Sequence, residues 1–242
     1  MNSLPQVPQK IPGFEATAYA YLDGEVVWLG EPAGTEHPRN AHTHWQPPRI
    51  ECDAQRLAAG AQTCKQWIDG LPPKGLLRWL TGQPMAFPIE QARARFDAIR
   101  EALVRNDLLA FATAAERVLG LGHGLTPSGD DFVGGIFFAL AHAPREAWEA
   151  ELPAVRQRMR AAAGRLTNVI SAALLSDLMK GASYAPLHAL LAALQDNAQP
   201  AITHSAQRLL RVGATSGADM LAGLLLALLT LPTKTSPPTV IA

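Results

Sequence analysis

The sequence contains only two cysteines, Cys52 and Cys64, among 242 residues. They form no C-x-x-C, so neither a disulfide framework nor a zinc site is expected, and both read as free thiols of a reducing compartment. An excess of one charge is missing too, because 21 basic side chains balance 21 acidic ones. Nucleic-acid binders draw much of their affinity from a net basic face, so no nucleic-acid partner is expected. The densest basic stretch carries Arg156, Arg158, Arg160 and Arg165 and reads mainly as a solvated helix face. No apolar run is long enough for a bilayer, and the longest mainly apolar stretch, residues 220–231, falls short of a span. The first residues, MNSLPQVPQKIPGF, lack a basic start followed by an apolar stretch, so no signal peptide is expected. Together these absences lead to the expectation of a cytoplasmic protein with no membrane partner. Walker A, dinucleotide-glycine and G-x-S-x-G patterns are also missing. Charged residues make up only 17% of the chain and hydrophobic ones 48%. That balance excludes disorder for most of the chain and supports a substantial core.

The hydrophobic pattern divides the chain unevenly. Residues 16–21 and 25–29 read as two strands around Asp23-Gly24, a strong hairpin signal. A loop rich in Pro, Gly and His follows over residues 30–48, then a further short strand at 49–52, then a helix at 54–69 interrupted by Gly60. Prolines and glycines break residues 71–88, which read as a connection. Beyond it, helical spacing is sustained over 89–104, 107–119, 132–141, 148–163, 169–179, 187–194, 202–212 and 220–229. The predicted architecture is α+β: a small β-containing N-terminal part (1–70), a connection (71–88), a larger helical domain with buried apolar helices (89–231) and a tail (232–242).

The most informative segment is Gly122-His123-Gly124-Leu125-Thr126-Pro127-Ser128-Gly129-Asp130-Asp131. Ser128 and Asp131 have the spacing of a capping box ahead of an apolar run, which predicts a helix starting at about Gly129. The unpaired amides of a helix start attract anions. Asp130 and Asp131 place two carboxylates in the same first turn, where they would compete with an anion unless a cation such as Mg²⁺ or a bound donor is present. A second segment repeats the plan. Ser-Gly-x-Asp-x-x-x-Gly occurs at Ser128, Gly129, Asp131 and Gly135, and again at Ser216, Gly217, Asp219 and Gly223. A threonine lies upstream of each, at Thr126 and Thr215. Two similar helices packed together, with their starts facing one pocket, are expected.

A third segment places Thr167 and Ser171 four residues apart, on one helix face, with Arg165 able to contact a carboxylate or phosphate. His42-Thr43-His44 is an H-x-H, which on a strand aims both imidazoles the same way, but no third ligand follows at a recognisable spacing. His204 reads as a cap or surface residue.

Gly124–Asp131, the Thr167/Ser171 segment and residues 215–223 resemble the bacterial AllH family, long catalogued only as a domain of unknown function, which includes a subunit of oxamate carbamoyltransferase. The resemblance covers mostly residues 115–230. It implies a role in anaerobic purine (allantoin) breakdown, where oxalurate and phosphate give oxamate and carbamoyl phosphate on a multi-subunit enzyme. The helix starts themselves lead to a small anionic substrate, and the resemblance implies an enzyme component that works alongside other subunits. Asp130, Asp131 and Ser128 are the candidate catalytic residues, with Asp130 and Asp131 orienting a nucleophile or holding Mg²⁺. Gly124, Thr126, Gly129, Arg165, Thr167, Ser171, Thr215, Ser216, Gly217 and Asp219 are the candidate substrate-binding residues. A non-catalytic metabolite-sensing or assembly subunit, and a metal-dependent hydrolase using His42, His44 and an aspartate, are the alternatives.

Overall fold

The computed structural model describes residues 7–30, 36–43 and 45–232. The architecture is α+β, a small antiparallel sheet followed by a mostly helical part. The sheet has the order β1 (Gln9–Lys10), β2 (Tyr19–Leu22) and β3 (Glu25–Trp28). Leu22 pairs with Glu25, so Asp23 and Gly24 alone form the turn. Both have positive φ, 53° and 80°, as a two-residue hairpin matched to strand twist requires. The strands are shorter than the sequence pattern predicts, and β1 is an addition to it. The strand expected at 49–52 is absent. That segment follows Pro47 and Pro48, which lack the amide hydrogens a ladder needs, and it runs into Asp53, whose carboxylate caps the next helix at Arg56 N, 2.9 Å away.

Ten α-helices follow among the described residues: α1 (Ala54–Asp69), α2 (Leu77–Leu80), α3 (Arg93–Val104), α4 (Leu108–Glu116), α5 (Ser128–His142), α6 (Leu152–Leu166), α7 (Val169–Met179), α8 (Ala185–Asp196), α9 (Gln199–Leu209) and α10 (Ser216–Leu229). The predicted helix at 89–104 divides into a 3-10 turn, Ile89–Ala92, and α3. Asp107 starts α4 by accepting from Ala110 N at 2.9 Å. α1 runs through Gly60 and packs against α8, α9 and α10. The last residues of the expected tail, 233–242, lie outside the described residues, as does His44. Among the described residues no helix is long and apolar enough to cross a membrane.

α5 and α10 form the centre of the core and pack against each other more extensively than any other pair of elements. Nearly every residue of both is buried, as their almost wholly apolar sequences require. The repeated glycines explain the closeness. A Cβ on Gly135 would run into the Met220 carbonyl, and a Cβ on Gly223 would run into the Phe132 carbonyl. The two contacts are reciprocal, so the sequence repeat is also a structural one. The sheet lies on α7, where Ile11 and Val26 bury against Ile170 and Leu174. Arg39 reinforces that join with a two-point ion pair to Asp177, with Nη2 to Oδ1 at 2.9 Å and Nε to Oδ2.

Candidate functional site

The two helix starts meet. Thr126 Oγ1 and Ser216 Oγ, from different repeats, are hydrogen-bonded at 2.8 Å. The manner of starting differs from the sequence expectation. Ser128 is the first helical residue rather than the cap; Pro127 precedes it, with no side-chain cap bond. The S-x-x-D spacing therefore does not form a capping box here. Proline fixes the entry geometry, and backbone carbonyls take up the first amides. Gly129 N donates to Leu121 O at 2.9 Å, and Asp130 N and Asp131 N donate to Pro127 O. The second repeat does the same, with Gly217 N donating to Val212 O at 3.0 Å and Asp219 N to Thr215 O at 2.9 Å. The amides of Gly129 and Gly217 are thus already paired within the chain. These glycines serve close packing instead, since a Cβ on Gly129 would strike the Val118 carbonyl and one on Gly217 the Leu209 carbonyl.

The space beside the helix starts forms two clefts. The first, about 510 Å³, is walled by Tyr19, Trp28, residues 123–126, Tyr184 and residues 211–216. The polar residues that line it are Thr126, Thr215, Ser216, Tyr19, Tyr184, His123 and Arg211. The second, about 260 Å³, is lined by Gly75, Arg78, residues 85–89, His123, Ser128, Ala214 and Thr215. His123, Ala214 and Thr215 line both clefts and form the ridge between them. The first cleft joins the hairpin to the helical repeat: Tyr19 comes from β2, Trp28 from β3, and Thr126 and Ser216 from the two helix starts.

Behind the hydroxyls lie Asp131 and Asp219, the equivalent aspartates of the two repeats. Burial pushes the Asp131 carboxyl well above the ordinary aspartate value, and the charge of Asp219 pushes it further; the Ser216 and Thr126 hydroxyls counter this, and Asp130 adds to it. Burial raises Asp219 to about 6 against the pull of the Leu76 amide, the Ser128 and Thr215 hydroxyls and Lys74. Leu76 N donates to Asp219 Oδ1 at 2.6 Å. The Oδ2 atoms of both aspartates are buried without a hydrogen-bond partner among the described residues.

Asp130, next in sequence to Asp131, has different partners. Its carboxylate accepts from Gly120 N at 2.7 Å, from Ser171 Oγ at 2.6 Å and from Thr167 Oγ1. Burial raises its pKa, and these three donors hold it down. Thr167 and Ser171 do share a face, but their hydroxyls bind Asp130. Asp130 and Asp131 do not form a joint ligand pair for Mg²⁺: one carboxylate is taken up by the loop and by the α6–α7 junction, and the other faces the second repeat. Arg165 is exposed and bonds Ala161 O of its own helix at 3.0 Å, lining neither cleft. Replacing Arg165 with alanine is therefore expected to leave stability within about 0.5 kcal/mol and ligand affinity unchanged, as denaturant melts and binding titrations will read.

His42 lies in a turn rather than a strand, its amide bonded to Asn40 Oδ1 at 2.8 Å and its Nε2 to Leu29 O at 3.1 Å. His204 is an exposed residue inside α9. Among the described residues no group of three or more His, Cys, Asp or Glu side chains is placed to hold a metal ion. Cys64 is buried, and burial pushes its thiol up to about 12. Sequence reasoning missed Tyr19, Trp28, Tyr184 and Arg211 as cleft residues. Of these, Arg211 carried a usable signal, because it stands two residues before the second glycine-rich turn.

The family model for oxamate carbamoyltransferase subunit AllH matches residues 118–228, which run from the turn after α4 almost to the end of α10. No solved structure matches the chain.

Proposed function

Residues 118–228 of this chain are AllH-like, and from that premise we propose that the protein is a subunit of an oxamate carbamoyltransferase-type enzyme whose first cleft takes the small anionic substrate. The observation that carries this reading is the lining of that cleft. Three hydroxyl-bearing residues (Thr126, Thr215 and Ser216) and two tyrosines (Tyr19 and Tyr184) line, with Arg211 and His123, one space of about 510 Å³. Carboxylate and phosphate oxygens need such donors, and a guanidinium can bind either in a two-point mode.

The reaction proposed is phosphate attack on the ureido carbon of oxalurate. A phosphate O–C bond forms, the C–N bond breaks, and oxamate leaves with a proton on its nitrogen. Two demands follow. The negative charge of both reactants must be offset, which falls to Arg211 and the hydroxyl donors. The departing nitrogen must be protonated, which falls to the Thr126–Ser216 hydroxyl pair with the Asp131 carboxyl behind it. Asp131 and Ser216 thus act at the chemistry, with Ser128 on the side of the second cleft. Thr126, Thr215 and Gly124 shape the binding surface.

Thermal-shift titration with oxamate, oxalurate, carbamoyl phosphate and phosphate tests the assignment. A ligand at a hundred times its Kd stabilises by about 2.7 kcal/mol, a rise of roughly 5–10 °C for a chain this long. Arg211→Ala is expected to weaken that ligand at least tenfold. Equal stabilisation of the Arg211→Ala variant removes the cleft from the reading. Carbamoyl phosphate formation, assayed with and without partner subunits, separates a catalytic chain from an assembly or sensing one.

A further inference from the structure

We propose that Tyr19 and Trp28, a cross-strand pair of the hairpin, decide which anions the first cleft accepts, selecting flat conjugated ones over tetrahedral ones. The inference rests on the reading of that cleft as the ligand site and deepens it.

The first support is the place of the pair in the sheet. Tyr19 and Trp28 stand opposite one another in the β2–β3 register, and cross-strand partners project from the same face of a sheet. Both line the first cleft. Tyr21 and Val26, also opposite one another, share that face. Val26 buries against Ile170 and Leu174 of α7, and Tyr19, Tyr21 and Leu125 pack around this cluster. The hairpin therefore stands against the helical part with its aromatic end beside the turn that carries Leu125 and Thr126.

The second support is that the indole is seated before any ligand arrives. A Cβ added to Gly30 would lie 2.3 Å from Trp28 Nε1 and 2.6 Å from its Cε2, so the indole packs directly on the Gly30 backbone. Gly30 O is itself held by Asn40 Nδ2 at 2.9 Å. The Trp28 amide donates to Arg39 O at 2.8 Å, and the Trp28 carbonyl accepts from Ala41 N at 2.9 Å. Arg39 in turn donates from Nη1 to Val26 O at 2.8 Å and from Nη2 to Asp177 Oδ1 at 2.9 Å. Arg39 is thus a positioning residue, tying the strand that carries Trp28 to the helix on which the hairpin packs. The same segment reaches Tyr184, a further aromatic residue of the cleft, whose ring centroid lies 4.7 Å from that of His37. A wall fixed in advance loses little freedom on binding.

The third support is the division of the lining. Thr126, Thr215, Ser216 and Arg211 bring polar groups from the helix starts and the turns before them, whereas the hairpin brings the aromatic pair. Hydroxyls and a guanidinium serve small oxyanions of either shape. An aromatic face discriminates. A flat conjugated group stacks on it with all its atoms in contact, and an amide N–H is drawn to its negative face, which repels the oxygens of a tetrahedral anion.

The test compares oxamate, which is flat, with inorganic phosphate, which is tetrahedral, by calorimetric titration of the full chain. Trp28→Leu is expected to weaken oxamate roughly five- to tenfold and to leave phosphate within about twofold. Trp28→Phe keeps a ring and recovers most of the oxamate affinity. Both members of the pair are half-buried and lie outside the α5–α10 core, and Tyr19→Leu, which shifts the ratio in the same direction, gives a second reading should Trp28→Leu fail to fold. Arg39→Gln lowers the oxamate-to-phosphate affinity ratio as well, which a merely structural ion pair would leave unmoved. Arg211→Ala weakens both anions. Equal weakening of the two anions by Trp28→Leu, or weakening of neither, overturns the proposal while the Arg211→Ala result still upholds the cleft. If Arg211→Ala also leaves both affinities unchanged, or the unmodified chain binds neither anion, the reading of the cleft falls and the proposal falls with it.

Discussion

Alanine at Gly135 is expected to lower the melting temperature by roughly 6–12 °C, and alanine at Gly223 by a similar amount. A methyl group at either position points into a main-chain carbonyl of the facing helix, Met220 or Phe132. Neither carbonyl belongs to a flexible side chain that can turn aside, so the helices must separate. Both helices are buried on nearly all sides, and displacing one disturbs every layer packed around it. Overpacking of a close-packed interior costs about 3 kcal/mol or more at such a site, and each kcal/mol moves the melting point of a chain this long by roughly 2–4 °C. The control is Gly164 in α6, where an added Cβ meets nothing within 4 Å. Alanine there should raise the melting temperature slightly, because alanine is the better helix former by about 1 kcal/mol. Circular dichroism melts of the three variants decide the issue. A Gly135→Ala protein within about 2 °C of the parent would mean that the two helices are not held at this spacing.

That spacing was legible in the sequence, because Ser-Gly-x-Asp-x-x-x-Gly occurs twice ahead of apolar runs and packing at this distance leaves few alternatives to glycine. The hairpin was legible for a similar reason: Asp23-Gly24 supplies two residues tolerant of positive φ. The helix starts were less so. Ser128 and Asp131 match a capping box, but the same four residues are compatible with a helix entered through Pro127, and only the chain's path decides which hydroxyl meets which amide. The repeat disclosed that Asp131 and Asp219 are equivalent, without disclosing that each would lie with the other repeat's serine. The cleft walls outside the two glycine-rich turns were illegible. Tyr19, Trp28 and Tyr184 reach the site from a hairpin and from the residue before α8, and no periodicity links those segments to the glycine-rich turns. Arg165 was singled out by its place ahead of Thr167 and Ser171, and sequence spacing does not tell whether the end of α6 reaches a cleft; Arg165 lines neither.

The sharpest separation is expected between two neighbours. Asp130→Ala should destabilise the protein by about 3 kcal/mol or more and weaken ligand binding with it. The change removes the acceptor of the Gly120 amide and of the Thr167 and Ser171 hydroxyls. Gly120 begins the turn that carries Gly124, Leu125 and Thr126, the wall of the first cleft, so releasing it loosens the binding surface as well as the core. Asp131→Asn should behave in the opposite way. The amide has the shape of the protonated acid, which burial and Asp219 already favour, so the fold persists and the melting temperature at pH 6 changes by no more than about 2 °C. Turnover should nevertheless fall by at least a hundredfold, because an amide can neither release nor take up a proton near neutrality. Measuring both variants side by side, by thermal melt and by carbamoyl phosphate formation in the presence of partner subunits, gives a crossed result. Asp130→Ala loses stability and activity together, whereas Asp131→Asn loses activity alone. Were Asp131→Asn to retain full turnover, the acid–base role at the helix start would be wrong, and the buried carboxyl would be a packing feature of the α5–α10 pair.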